Sequence, residues 1–95
     1  MQPFSVSDET LAQQVYEASP THCSQQFLDL LIANPGEMFD SDAVQLRLAL
    51  ADHRDVARTA YALGEVAASL DRKRPWNEAQ RGYFMTPEVA ALFPH

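Results

Sequence analysis

Two predicted helices and a tight turn occupy residues 39–70, which read FDSDAVQLRLALADHRDVARTAYALGEVAASL. An aspartate and a serine precede a short helix over residues 42–48, where their side-chain oxygens can accept hydrogen bonds from the free N–H groups of a first turn. Residues 49–52 form the turn, and Asp52 is placed to cap a longer helix from residue 53 to about residue 70. Two helices joined in this way are typical of a helix-turn-helix.

The longer helix has two different faces. Its inward residues follow one another at spacings of four and three: Val56, Ala60, Leu63, Ala67 and Leu70. Its outward residues keep the same rhythm: Arg54, Arg58, Tyr61, Glu65 and Ser69. This separation predicts an amphipathic helix with one side in a core and the other in solvent. In the shorter helix and the turn, we expect Ala43, Leu46 and Leu50 to face that core.

The chain before this stretch predicts two further helices. The first spans about residues 8–18. The second begins at Ser19-Pro20, because serine suits the N-cap and a proline at the first helical position loses no intrahelical hydrogen bond. It ends at the Asn-Pro-Gly triplet over residues 34–36, where proline cannot continue a helix and glycine can take a positive φ. Its apolar side chains make it the expected centre of the core.

The chain after residue 70 predicts a hairpin and a closing helix. Aromatic residues on both arms and a glycine between them are typical of a β-hairpin over about residues 74–86. Such aromatic residues more often anchor a hairpin against helices than stack on unpaired bases. A Thr-Pro pair then begins a helix over 87–93. The predicted fold class is mostly α (α+β): one winged helix-turn-helix domain over residues 1–95, with the helix-turn-helix at about 41–70 and a small C-terminal β-hairpin as its wing.

Several of these segments carry a family resemblance. The segments are FLDLL at 27–31, NPG at 34–36, FDS at 39–41, PW at 75–76, YFMTPEVA at 83–90 and LF at 92–93. Together they make the chain resemble, over roughly residues 8–93, a small family of uncharacterised winged-helix-like domains found mainly in actinobacteria. The resemblance implies a winged-helix fold and, by analogy between members of such families, DNA binding.

The sequence shows no arrangement of residues that is typical of a catalytic site or a metal site. His22 and Cys23 are adjacent rather than spaced for a metal, and the chain has one cysteine. Its three glycines are scattered, so they form no phosphate-binding loop. We therefore expect no enzyme, no metal and no cofactor. A lone cysteine, the lack of an apolar run of about 20 residues and the absence of a signal-peptide pattern predict a cytoplasmic protein that does not enter membranes.

Charge is distributed unevenly along the chain. The formal net charge is −6, which disfavours indiscriminate binding to polyanions. Residues 1–51 carry the whole excess of −6, whereas residues 52–95 hold six acidic and six basic groups. Because charges are screened over about 8–10 Å at physiological salt, a basic face in the second half remains compatible with DNA binding.

The basic residues of the second half are the candidate DNA contacts. The N-terminal half of a recognition helix reaches the base edges, so we expect Arg54 and Arg58 to hold guanine O6 and N7 and Tyr61 to donate to a phosphate. Flanking backbone contacts are expected from Arg72, Lys73, Arg74 and Arg81. On this interpretation the chain binds double-stranded DNA as a small transcriptional regulator or accessory factor.

Two alternatives use the same residues differently. The basic groups can be solvated surface residues, with Asp55 paired to Arg58 or Arg54 and a basic triplet after a helix complementing its C-terminal end. The domain can also be a protein–protein interaction module whose acidic half docks a basic partner or imitates the charge of DNA. A continuous positive strip along the long helix and the hairpin would favour DNA, and carboxylates that interrupt it would favour a protein. A homodimer is compatible with either function, through the first helix or the last one.

Overall fold

The computed structural model describes residues 1–79 and 82–93. The helices in these residues are α1 (Glu9–Glu17), α2 (His22–Ala33), α3 (Ser41–Leu48), α4 (His53–Ser69) and α5 (Pro87–Ala90). The strands are β1 (Phe39–Asp40), β2 (Asn77–Ala79) and β3 (Gly82–Phe84). The described chain is therefore an α+β fold in which helices predominate.

Both helices expected around the central turn are present. The Asp40 side chain accepts a hydrogen bond from the Ala43 amide at 2.7 Å and so caps α3. Ala49 ends α3 in the left-handed region, at φ 54°. The Asp52 side chain accepts from the Asp55 amide at 3.0 Å and caps α4. An N-cap of this kind stabilises a helix by about 1 kcal/mol, so local side-chain chemistry sets both helix starts.

The inner face of α4 packs against α2, α3 and α1. Val56, Leu63 and Ala67 of this face are fully buried, and Ala60 is nearly so. The largest fully buried side chains of the rest of the core are Phe27, Leu28, Leu31, Met85, Val15 and Val44. Burial of these side chains stabilises the fold by roughly 1.5–3 kcal/mol for each large one, and it fixes the rotation of α4 about its axis.

A three-stranded antiparallel sheet closes one side of the core, in the order β1-β3-β2. The predicted hairpin is present, with Glu78 opposite Tyr83, and β1 adds a strand that the pattern did not predict. The Phe27 ring meets the Trp76 and Tyr83 rings edge-on, with centroids 5.2 and 5.3 Å apart. Trp76 is 5% exposed, so these aromatic residues anchor the hairpin rather than form an open platform for bases.

Three local predictions were wrong. Leu46 is 82% exposed, and α3 buries Val44 and Leu48 instead. The N-cap of α2 is Thr21 rather than Ser19, because the Thr21 hydroxyl accepts from the Ser24 amide at 3.0 Å. The closing helix stops at residue 90 rather than residue 93, although the two apolar residues at 92 and 93 still pack into the core.

A partly buried ion pair ties the N-terminal segment to the exit of α4. Arg72 donates from Nε to Asp8 Oδ2 at 3.1 Å and from Nη2 to Asp8 Oδ1 at 3.2 Å. The two side chains are 21% and 8% exposed. The hydrogen bond from Arg72, followed by one from the Ser5 amide, lowers the pKa of the Asp8 carboxyl from its ordinary value of 3.8. The amide of Lys73 also donates to the Gln2 carbonyl at 2.8 Å, so the segment runs beside the exit.

Gly82 offers a test of the contact between β1 and β3. A Cβ added there would lie 2.8 Å from the Phe39 carbonyl oxygen and 2.8 Å from Met38 Cγ. We expect Gly82→Ala to lower the free energy of unfolding by about 1–3 kcal/mol, the usual cost of overpacking, as measured by urea denaturation. Gly36→Ala is the control, because a Cβ there has nothing within 4 Å and meets only the strain of φ +79°, about 1 kcal/mol. We expect the loss in Gly82→Ala to exceed the loss in Gly36→Ala, and a loss no larger than that of the control would contradict the close approach.

The Asp8–Arg72 pair predicts an acid-dependent loss of stability. The pKa of Asp8 is lower in the folded chain than in the unfolded one, so the pair stabilises the fold above the unfolded value and this contribution is lost as pH falls through the folded value. Asp8→Asn should be less stable than the parent at pH 7, and the difference should shrink below about pH 3.8 in urea titrations. The exposed neighbour provides the control Glu9→Gln. A difference that does not change with pH would show that the charge of Asp8 is unimportant.

Candidate functional site

The outward face of α4 carries the three side chains expected to contact bases and phosphate. Arg54 is exposed, the Arg58 side chain is 76% exposed and Tyr61 is 69% exposed. They lie on the helix opposite the buried residues described above, so the predicted orientation of α4 is confirmed. This face is available to a partner, and the charges around it decide which kind of partner it suits.

Carboxylates lie beside two of these three side chains. Arg58 Nη1 donates to Asp55 Oδ1 at 3.1 Å, and the other oxygen of that carboxylate accepts from the Ala51 amide at 3.3 Å. Glu65 lies one turn after Tyr61, and its nearby carboxylate raises the pKa of the Tyr61 hydroxyl from its ordinary value of 10.0. Asp55 thus holds the turn and neutralises an arginine at the same time.

The N-terminal ends of α3 and α4, which would enter a DNA groove in the predicted helix-turn-helix, are acidic. Asp42, in the first turn of α3, contacts His53 in the first turn of α4, so the N-terminal ends of the two helices lie together. Four aspartates and two arginines are found there: Asp40, Asp42, Asp52, Asp55, Arg54 and Arg58. With His53 neutral, this end has a formal charge of −2, which opposes the approach of phosphate.

The basic exit after α4 is largely engaged within the chain. Arg72 is held by Asp8, as described above. Arg74 Nη1 donates to Glu78 Oε1 at 2.8 Å, and the Trp76 indole N–H donates to the same oxygen at 3.2 Å. Lys73 is exposed and has no carboxylate within 4.0 Å among the described residues. The remaining candidate, Arg81, lies outside the described residues.

A groove of about 640 Å³ runs between the second half of α4 and the hairpin. Helix α4 contributes Tyr61, Gly64, Glu65 and Ala68, and the exit and β2 contribute residues 72–74 and 76–78. Met1 and Pro3 form part of its wall. Four of the predicted contact residues therefore line one groove. The N-terminal wall was missed, because the pairing of Asp8 with Arg72 joins positions 64 residues apart and leaves no local signal.

The described residues contain neither a metal-binding cluster nor a membrane-spanning helix. No group of three or more His, Cys, Asp or Glu side chains among them could hold a metal ion. Cys23 is a free thiol at an intermediate position on α2. None of the helices found in residues 1–79 and 82–93 has the length and apolar character needed to cross a membrane.

The comparisons with known proteins give no match for this chain. No family model matches the chain, and no curated protein and no solved structure matches it either. The resemblance to winged-helix-like domains of actinobacteria therefore stays a prediction. Function has to be inferred from the geometry and charge of the site.

Proposed function

We propose that the chain is a winged-helix domain that binds a protein partner through the outward face of α4. The order of elements supports this scaffold: helix α2, the short strand β1, helices α3 and α4 around a tight turn, and the hairpin of β2 and β3. A helix-turn-helix followed by a hairpin is the arrangement that the sequence predicted. The helices α1 and α5 complete the core around it.

One observation favours a protein partner: carboxylates interrupt the continuous positive strip along α4 and the hairpin that DNA binding would need. Of the six candidate contacts in the described residues, four have a carboxylate partner, namely Arg58, Tyr61, Arg72 and Arg74. Double-stranded DNA carries one negative charge per about 1.7 Å of helix axis, so these carboxylates repel it. A protein partner tolerates mixed charge, and exposed tyrosine and arginine are enriched in protein interfaces.

The acidic first half of the chain is a weaker contact surface than its charge suggests. Asp8 is held by Arg72, and Asp29 accepts from the Tyr16 hydroxyl at 2.8 Å. The carboxylate of Asp40 caps a helix. These three of the seven acidic groups of this half therefore have partners in the fold, which weakens the case for this half as the docking surface.

DNA binding is the second candidate, and a specific observation favours it. Arg54 on α4 and Lys73 at its exit have no carboxylate within 4.0 Å among the described residues. The exposed pair between Arg58 and Asp55 contributes only about 0–1 kcal/mol, so a phosphate can displace Asp55. On this alternative, the chain binds DNA weakly, and the binding affinity depends strongly on salt concentration.

A mobility-shift titration against random-sequence duplex DNA separates the two candidates. At about 50 and 200 mM salt we expect little complex with the parent chain. The double variant Asp55→Asn/Glu65→Gln should bind at least tenfold more tightly at the lower salt, because it removes two carboxylates from the face of α4. The matched control is Glu17→Gln/Glu37→Gln, which makes the same change in net charge at exposed positions elsewhere and should bind less tightly than the first variant.

DNA binding by the parent chain would also contradict the proposal directly. If that chain binds duplex DNA at the higher salt, and if Arg54→Ala/Arg58→Ala abolishes that binding while leaving the fold intact, DNA is the partner. A photoreactive phenylalanine analogue at position 61 supplies the complementary measurement in cells that express the chain. It should crosslink to protein, whereas the same analogue at exposed position 13 of α1 should not. Adducts with nucleic acid at position 61 would overturn the assignment.

A further inference from the structure

We infer that the partner is a second copy of this chain, with the two α4 helices packed antiparallel across a two-fold axis; this inference rests on the proposed function. A two-fold interface must be complementary to itself, because each copy presents the same surface to the other. The outward face of α4 meets this condition in its shape, in its central residue and in the order of its charges.

Tyr61 lies at the midpoint of α4. The helix has 17 residues, from His53 to Ser69, with eight on either side of Tyr61. When two such helices pack antiparallel about this point, residues at equal distances before and after position 61 face one another. Tyr61, which is 69% exposed, then meets Tyr61 of the second copy and loses that exposure. A paired aromatic contact of this kind contributes beyond its buried area.

The charges on either side of Tyr61 have opposite signs. Arg58 lies three residues before the midpoint and Glu65 four residues after it. In the antiparallel pair, Arg58 of each copy is therefore offset from Glu65 of the other by one residue, about 1.5 Å along the axis, which the long arginine side chain spans to give two ion pairs. The contacts that these groups make within the chain are exposed and cost little to exchange. A parallel arrangement would instead place Arg58 against Arg58. Charge therefore selects the antiparallel orientation.

The two ends of α4 are complementary in the same orientation. Asp52 and Asp55 mark its N-terminal end, and Lys73 follows its C-terminal end as a cation with no carboxylate within 4.0 Å in the described part of the chain. The antiparallel partner brings the acidic end of one helix to the basic exit of the other. Both copies contribute the same pairing, so it occurs twice.

Small residues allow the two helices to approach closely. Ala57 and Ala68 are exposed on the outward side of α4, and helix axes at such contacts are about 8–10 Å apart. Gly64 is already covered within the chain, because the Arg74 side chain lies 3.2 Å from the position that a Cβ would take there. Gly64 and Ala68 line the groove beside the hairpin. The first half of α4 from the second copy lies over that groove and occupies it. By the two-fold symmetry, the first half of α4 from this copy occupies the groove of the other.

A charge-swap series measured by sedimentation equilibrium tests this arrangement. The parent chain should be dimeric, and Glu65→Arg alone or Arg58→Glu alone should raise the dimer dissociation constant at least tenfold, because each places like charges opposite one another. The double variant Arg58→Glu/Glu65→Arg should recover most of the loss. Positions 58 and 65 are two turns apart, about 10 Å along one helix, so recovery reports pairing between copies. Glu37→Arg, away from α4, is the control and should leave the dimer unchanged.

Disulfide trapping gives a second readout that does not depend on charge. In a Cys23→Ser background, Tyr61→Cys should form a covalent dimer on mild oxidation, because position 61 faces itself. Arg54→Cys should not, since position 54 faces position 68 of the second copy. Equal trapping at both positions would indicate parallel helices and overturn the arrangement.

Other outcomes also decide the matter. A parent chain that remains monomeric up to about 0.5 mM overturns the dimer, as does a dimer indifferent to the charge swaps, which would place the interface on another helix. If the chain is monomeric but position 61 crosslinks to a different protein, the dimer alone is refuted. If position 61 crosslinks to nucleic acid, the proposed function fails with it.

Discussion

The burial of one side of α4 is the constraint on which the rest of the molecule depends. Val56, Leu63 and Ala67 have no exposed surface, and their helix contacts α1, α2 and α3. Rotating α4 by even one residue would expose part of this apolar seam and bury a charged side chain, which costs far more than any surface interaction gains. Arg58 and Tyr61 therefore point outward for reasons of packing, whatever they bind.

The requirements of the fold also explain the carboxylates beside the candidate contacts. Asp40 and Asp52 satisfy the first amides of α3 and α4, and Asp55 satisfies the amide of Ala51 in the turn. Unpaired backbone donors at a helix start are costly, so aspartate at these positions stabilises the fold. Its negative charge is then fixed at the exposed end of α4. The requirements of helix capping thus shape the electrostatics of the face that meets a partner.

Local sequence patterns predicted most of the helices and the hairpin. Features that depend on contacts between distant residues could not be predicted from such patterns. The α4 helix was predictable because 17 residues repeat one apolar spacing after a capping aspartate. The eight-residue α3 was harder: apolar residues occupy alternate and adjacent positions, and only packing against its neighbours decides that Val44 is buried and Leu46 exposed.

Contacts between remote residues had no signal at all. Strand β1 has two residues and exists because β3 pairs with it. The Asp8–Arg72 pair joins residues 64 positions apart. In the candidate site, the outward direction of Arg54, Arg58 and Tyr61 followed from periodicity. The pairing of Arg58 with Asp55 was among the alternatives that the sequence left open. The ion pairs of Arg72 with Asp8 and of Arg74 with Glu78 were not predicted, because a rotamer and a three-dimensional neighbour decide which carboxylate meets which cation.

The two uses of α4 exclude one another on physical grounds. A DNA groove would require Arg58 to leave Asp55 and point at a base edge, while Asp52 and Asp55 remained close to phosphate. Packing against a second α4 helix has different requirements. The aspartates would lie at the rim of the interface, opposite the Lys73 cation of the other copy, and the exposed Tyr61 would lie at its centre. Hydrophobic or aromatic centres with charged rims are what protein interfaces select. The positions of the carboxylates, more than the number of arginines, are therefore what favours the proposed protein partner over DNA.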